Sequence, residues 1–183
     1  MLDYKKAIAD AIAARDSTIP AEFRLSKDQP LPQNVSGLVE SSGILDQKEL
    51  QIVELSATEL RDAIATKQYT AVAVTTAYLK AAAIAQQATN CLVELLAKEA
   101  LERAQSLDEE FEKTGQVTGP LHGVPVSIKV CTCLEGCSHT GPYRRERPRL
   151  PFGVPVARWQ EDSERGRPHG SYPQGSRSGV LYQ

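Results

Sequence analysis

Long apolar runs are missing from this 183-residue sequence. No segment approaches the ~18 apolar residues that a membrane-spanning helix needs. The charged start from Met1 to Lys6 is not followed by the apolar core of a secretory signal. A strong charge of either sign is also missing, because the formal net charge of -2 gives no electrostatic case for binding nucleic acid or an anionic membrane. These absences predict a soluble, cytoplasmic protein with no membrane and no nucleic-acid partner.

Cysteine is scarce, with four residues, and its distribution does not suit a disulfide framework. Cys91 is remote from the other three, and we interpret it as a small core residue. Cys131, Cys133, Cys137 and His139 place four soft donors within nine residues, a set that could hold Zn²⁺. Their spacing is not that of two separated cysteine pairs. A small zinc-binding protein is therefore kept as an alternative, and no cofactor is expected.

Lysine is missing after Lys129, and this change separates two regions of different composition. Residues 1–129 are rich in alanine and carry 13 Lys and Arg against 18 Asp and Glu. Residues 130–183 carry eight Arg against five acidic residues, with 13 Gly and Pro among 54 positions. We expect the first region to fold and the second to be an irregular Arg/Gly/Pro-rich tail that is largely disordered.

The first region carries helical periodicity and capping residues. A helix is predicted from Asp3 to Arg15, and the prolines after it predict an irregular connection over 17–42. Capping-box patterns begin at Asp46 and at Ser56, each followed three residues later by a glutamate. Two short helices are therefore predicted to begin at these positions.

Two longer helices are predicted further along. The first extends from an N-cap at Thr70 to about Gln87. The second extends from Lys98 to Lys113, with Gly115 as a left-handed C-cap and Asp108 facing water. Between them, the β-prone segment from Asn90 to Glu94 predicts a strand or an extended entry.

The segment from Gly119 to Lys129 changes the pattern again and reads Gly-Pro-Leu-His-Gly-Val-Pro-Val-Ser-Ile-Lys. Its glycines and prolines predict tight turns, and the alternation of Val124, Val126 and Ile128 predicts a strand. A lysine placed where the chain leaves a sheet is a candidate functional residue. His122 could serve as a general base. We favour a simpler role for it, as a turn residue that shapes the approach to the lysine.

Three segments together carry a family resemblance: Thr89-Asn90-Cys91-Leu92, the helix that begins Lys98-Glu99-Ala100, and the run Gly119–Lys129. Over residues 44–129 the sequence resembles the amidase signature family, and in particular its fungal acetamidase-like branch. The resemblance implies hydrolysis of the carbon–nitrogen bond of small-molecule amides by a Ser-cis-Ser-Lys triad. It implies an α/β fold with a mixed sheet covered by helices, of which this chain holds the N-terminal helical region and the first strands.

Lys129 aligns with the catalytic lysine that the resemblance implies. An ammonium group cannot accept a proton, and an exposed lysine has a pKa of about 10.4, so the side chain must be desolvated to act as a base near neutrality. The end of a buried apolar strand would supply that environment. A neutral amine there could take a proton from a bridging serine, which in turn would activate the nucleophilic serine.

The sequence departs from the family pattern directly after Lys129. An acidic residue is expected there, but Val130 follows, and no Gly/Ser-rich segment with the two triad serines is recognised downstream. Gly175-Ser176-Arg177-Ser178-Gly179 does not match Gly-x-Ser-x-Gly, because Arg177 occupies the central position. Ser127 is not assigned as the nucleophile.

These departures predict an incomplete fold. The chain is expected to be truncated before both serines, inactive as an amidase, and marginally stable because apolar faces are left uncovered. A non-catalytic helical interaction module is therefore kept as a second alternative to an enzyme.

Overall fold

The computed structural model describes residues 4–26, 30–129 and 178–182, with side chains described up to Ile128. Within these ranges the chain is mostly helical. Its helices are α1 (Tyr4–Ser17), α2 (Leu38–Ser41), α3 (Gln47–Glu54), α4 (Ala57–Ala65), α5 (Ala71–Thr89) and α6 (Ala97–Thr114), with a 3-10 turn over Ala21–Phe23. Two strands, β1 (Val126–Lys129) and β2 (Ser178–Tyr182), complete the described elements.

Both predicted capping boxes are confirmed. Asp46 Oδ1 accepts the Glu49 amide at 2.8 Å, while a Glu49 carboxylate oxygen accepts the Asp46 amide at 2.9 Å. Ser56 and Glu59 repeat the arrangement at the start of α4. Each box satisfies two backbone donors that the first turn of a helix leaves without partners.

Helix α5 is the centre of the packing. Thr70 caps it as predicted, since its hydroxyl oxygen accepts the Ala73 amide at 3.1 Å. Small side chains let α6 approach closely, since Ala71 on α5 and Ala104 on α6 are fully buried in one shared cluster. The largest buried side chains around α5 are leucines, isoleucines and a valine: Leu60, Ile64, Leu79, Ile84 and Val74. No helix in the described ranges has the length and apolar character needed to cross a bilayer.

Helix α1 forms close to its predicted bounds, but none of its side chains is buried. Tyr4, Ile8 and Ile12 are exposed by 66%, 56% and 45% and lie one turn apart on one face. The chain becomes buried only after this helix, at Ile19 and Phe23. The apolar face of α1 therefore contacts solvent in the single chain.

The segment from Asn90 to Glu94 was predicted to be a strand or an extended entry, and the strand alternative is wrong. Asn90 adopts a left-handed conformation with φ 58° and ends α5. Side chains then take the amides that a strand would have offered to a neighbour. The Gln86 side chain accepts the Leu92 amide, and the Thr18 hydroxyl accepts the Leu95 amide at 3.1 Å.

Strands β1 and β2 pair antiparallel, with Val126 opposite Tyr182 and Lys129 opposite Ser178. The register shifts between Ile128 and Lys129. Residues 178–182 belong to the region for which an irregular tail is predicted, and they are the described part of that region. Val180 and Tyr182 favour extended backbone, and β1 offers an edge to pair with. Among the described residues the sheet is this antiparallel pair, so the mixed sheet stays an expectation.

Candidate active site

The turn before β1 sits directly on the helices because Gly123 lacks a side chain. Gly123 has φ +73°, a conformation that L-residues rarely adopt. A Cβ atom there would lie 2.8 Å from Ile64 Cδ1 and 2.9 Å from Ala71 Cβ. Glycine thus permits both the turn and the close approach to α4 and α5. This contact fixes the position from which the chain enters strand β1, the strand that ends at Lys129.

His122, the neighbour of Gly123, is buried with 4% of its surface exposed. The structure places it in the turn, where its amide donates to the Gly119 carbonyl at 3.2 Å. Its Nδ1 atom accepts the Thr118 amide at 3.2 Å and lies 2.8 Å from the Thr118 hydroxyl oxygen. The ring meets Phe111 of α6 edge-on, with 5.6 Å between centroids. These contacts join the turn to the end of α6.

The imidazole of His122 is neutral near pH 7. Burial lowers its pKa below the ordinary 6.5, and Asp108 and Glu110 oppose this shift with negative charge, while Arg103 adds slightly to it. The pKa of a general base is best placed near the working pH. A desolvated imidazole held by Thr118 is better suited to positioning the turn, in keeping with the interpretation favoured from the sequence.

Strand β1 is half-buried where a fully buried strand was expected. Val124 is buried just before it, Val126 and Ile128 are intermediate, and Ser127 is exposed. Lys129 ends the strand, as predicted, and its backbone pairs with Ser178. The Lys129 side chain lies outside the described atoms, and so does the whole Cys131, Cys133, Cys137 and His139 cluster. In the part of the chain that the structure describes, no three His, Cys, Asp or Glu residues are grouped as metal ligands would be.

Sequence reasoning missed the role of Asp108, which was expected to face water. Its Oδ1 accepts the Ala71 amide at 2.7 Å and its Oδ2 accepts the Val72 amide at 3.0 Å. A side chain of α6 therefore caps the N-terminus of α5, next to the Gly123 contact. One turn further along α6, the Phe111 ring makes a cation–π contact with Lys67, whose ammonium nitrogen is 5.1 Å from the ring centroid. No spacing along the sequence pairs residue 108 with residues 71 and 72.

Comparisons with known proteins agree on one family. The amidase family model matches residues 73–151, a range that includes Lys129 and continues beyond it. A Schizosaccharomyces pombe protein assigned as an amidase is 45% identical over 132 residues, which are 70% of this chain and 24% of that protein. The acetamidase of Emericella nidulans is 41% identical over 126 residues, covering 69% of this chain and 23% of the acetamidase.

A solved structure supports the same assignment. Fatty acid amide hydrolase superimposes with a TM-score of 0.57 and 32% sequence identity, over 67% of this chain and 22% of that one. The chain thus spans about a quarter of the length of the relatives that it matches. The range of the family model contains the turn at Gly123, helix α6 and strand β1 with Lys129, and with these matches the chain belongs to the amidase signature family.

Proposed function

We propose that this chain carries the lysine-bearing part of an amide hydrolase in which Lys129 is the terminal base of a Ser-cis-Ser-Lys triad. The observation that supports the proposal most is the position of Lys129. It ends strand β1, and the turn before that strand is anchored on α4, α5 and α6 through Gly123 and His122. A base at the end of an anchored strand has a fixed backbone position, which proton transfer requires.

The proposed chemistry is acyl transfer from an amide to a serine hydroxyl. A neutral Lys129 amine takes a proton from the bridging serine, which takes one from the nucleophilic serine as that oxygen attacks the amide carbonyl carbon. The carbon–nitrogen bond breaks as the protonated Lys129 returns its proton through the bridging serine to the leaving amine, and water then hydrolyses the acyl-enzyme and restores the serine hydroxyl. No serine of the 183-residue sequence is assigned to either role. Small amides are the proposed substrates because one of the relatives is named an acetamidase.

The 183-residue chain alone is expected to be inactive, since a base without its nucleophile leaves only weak catalysis from binding. Incubated with acetamide, it should release no more ammonia than its Lys129→Met variant does. Ammonia release that depends on Lys129 in this chain would show that a nucleophile is present and would overturn this part of the proposal.

A chimaera tests the role of Lys129 itself. Residues 1–129 joined to the downstream part of the Emericella nidulans acetamidase should hydrolyse acetamide. Lys129→Met in the chimaera should lower kcat by about 10²–10⁴-fold, the usual contribution of a general base. Lys98→Met is the matched control, because the Lys98 side chain is 84% exposed. A folded chimaera that keeps its kcat after Lys129→Met would refute the assignment.

The exposed face of α1 supports a second candidate, the non-catalytic helical interaction module. The simplest partner for Tyr4, Ile8 and Ile12 is the same face of a second copy of this chain. Association of two such apolar faces would remove their side chains from water, which is favourable. In this interpretation the chain self-associates through α1 whether or not it belongs to an active enzyme.

Charged substitutions on α1 test this candidate. The double variant Ile8→Glu, Ile12→Glu should shift sedimentation toward the monomer with little change in Tm, because both side chains are already exposed. The double variant Ala9→Glu, Ala13→Glu adds the same charge away from this face and should leave self-association as it is. Equal effects of the two double variants would point to net charge and would contradict a role for the apolar face.

A further inference from the structure

The bonding of His122 defines its protonation state. The Thr118 backbone amide can only donate a hydrogen bond, so the Nδ1 atom that it meets at 3.2 Å must present a lone pair. The proton of the neutral ring therefore sits on Nε2. Nε2 is buried and has no hydrogen-bond partner among the described residues. The imidazole is thus held on one side by Thr118 and leaves a buried donor unsatisfied on the other.

Adding a proton reverses the bonding at Nδ1. The imidazolium carries N–H groups on both ring nitrogens, so Nδ1 would face the Thr118 amide as donor against donor. The hydrogen bond from the Thr118 amide is then lost, and only the Thr118 hydroxyl oxygen, 2.8 Å from Nδ1, can accept from the new N–H on that side of the ring. The new charge is also desolvated, since the ring packs against Phe111 and is 4% exposed. Protonation therefore destabilises the position that His122 occupies, because it removes the amide hydrogen bond and places a charge in a buried site.

We propose that His122 is a protonation-sensitive latch: the neutral ring holds the Thr118–Val124 turn on α6, and the protonated ring releases this turn together with the start of β1. The proposal concerns the conformation of the turn and does not depend on amide hydrolysis. Because Lys129 follows the turn on the same strand, release would also free the backbone position of the lysine.

The charged groups around His122 come from the elements packed against it. Helix α6 contributes three of them: Asp108, Glu110 and Arg103. The fourth is Lys67, which follows α4 and stacks its ammonium group on Phe111, the ring that also contacts His122. Asp108 is the group that could best pair with an imidazolium, but its two oxygens are engaged by the Ala71 and Val72 amides. Satisfying His122 in this way would uncap α5. The described surroundings therefore offer the imidazolium a hydroxyl acceptor at Nδ1, but no acceptor at Nε2 and no counter-charge without a cost elsewhere.

The direction of the pH effect follows from linkage. An unfolded or released turn binds its proton at the ordinary pKa of about 6.5, and the docked turn binds it only at lower pH because burial lowers the pKa of His122. The free energy that keeps the turn docked is therefore complete above about pH 6.5 and decreases as the pH falls. Carboxylates titrate near about pH 4, so the range between about pH 5 and 7.5 isolates the histidine.

NMR of the 183-residue protein tests the latch. Long-range ¹⁵N–¹H spectra should show His122 as the Nε2–H tautomer with a pKa below 6.5. Amide protection factors over residues 118–129 should fall by up to about tenfold per pH unit below 6.5, while those of α5 stay constant. The other two histidines, His139 and His169, supply controls, and His139→Asn and His169→Asn should behave as the parent chain does.

Two substitutions at position 122 separate the latch from simple packing. His122→Asn carries Oδ1 on the same carbon as Nδ1, so it can accept the Thr118 amide without titrating. It should keep residues 118–129 protected at both ends of the pH range. His122→Phe keeps a ring against Phe111 but loses the acceptor, and protection should be low and independent of pH. A parent chain with constant protection between about pH 5 and 7.5, or an Asn variant that loses protection in acid as the parent does, would overturn the proposal.

Discussion

Gly123→Ala is expected to lower the free energy of unfolding by about 2–5 kcal/mol. Two costs add at this position. The left-handed backbone with φ +73° costs an L-residue about 1–2 kcal/mol. The new methyl group would lie 2.8 Å from Ile64 Cδ1 and 2.9 Å from Ala71 Cβ, closer than van der Waals contact, and overpacking of this kind costs about 1–3 kcal/mol. Ala71 is the first residue of α5 and is fully buried, so it cannot withdraw.

Two other glycines separate these costs when urea unfolding of each variant is followed by circular dichroism. Gly115 also has a positive φ, +68°, but no atom lies within 4 Å of the place of its Cβ, so Gly115→Ala should show the backbone cost alone. Gly119 has neither constraint, and Gly119→Ala should be close to neutral. If Gly123→Ala is no worse than Gly115→Ala, the close approach to α4 and α5 does not exist in solution.

The effect at Gly123 should extend to β1. If the turn is pushed away from Ile64 and Ala71, Val124 leaves the cluster that it forms with Ile52, Leu60 and Val74. The strand that ends at Lys129 would then start from a different place. Hydrogen exchange should show β1 losing protection before α5 does, because α5 keeps its contacts with α6.

Local signals in the sequence were sufficient for most helices. The capping boxes at Asp46 and Ser56, the N-cap at Thr70 and the left-handed C-cap at Gly115 all lie where the residue types predicted. Each of these devices acts between residues at most four positions apart. The local pattern therefore contains the partners, and the prediction needs no tertiary information.

Errors arose where a side chain distant in sequence decides the local structure. Asn90–Glu94 has the composition of a strand, yet Thr18 takes the Leu95 amide from 77 positions away. The exposure of Ile8 and Ile12 on α1 is likewise a tertiary property, since helical periodicity identifies an apolar face without showing whether another element covers it. The pairing of residues 178–182 with β1 also joins segments distant in sequence, and no local pattern predicts such a contact. For Lys129, sequence predicted its place on β1, and its role stays a prediction.

Asp108→Ala is the second substitution with a large expected effect, about 3–6 kcal/mol in the free energy of unfolding. The carboxylate accepts the Ala71 amide at 2.7 Å and the Val72 amide at 3.0 Å. Hydrogen bonds to a charged group contribute about 1.5–3 kcal/mol each, and a carboxylate at a helix N-terminus is further stabilised by the helix dipole. Ala71 is fully buried, so its amide would be left without a partner and without water.

Asp108 completes the cap that Thr70 begins. The Thr70 hydroxyl accepts the Ala73 amide, and the Asp108 carboxylate accepts the amides of the two preceding residues, Ala71 and Val72. The amide donors in the first turn of α5 are therefore all satisfied only when α6 is docked. The capping of α5 is thereby coupled to the packing of α5 on α6. Asp108→Asn should cost about half as much as Asp108→Ala, because one amide oxygen remains to accept a hydrogen bond.

Glu109→Gln is the control for Asp108, since it removes a carboxylate from the adjacent position. Glu109 pairs with Lys113 at 3.9 Å, and both side chains are more than half exposed, so its loss should change stability by no more than about 0.5 kcal/mol. Urea unfolding of the three variants gives the comparison. Similar small effects at positions 108 and 109 would mean that α6 does not cap α5 in solution. A large effect confined to position 108 would show that the Asp108 carboxylate joins α6 to the N-terminus of α5. This junction lies next to the Gly123 turn, which leads to Lys129.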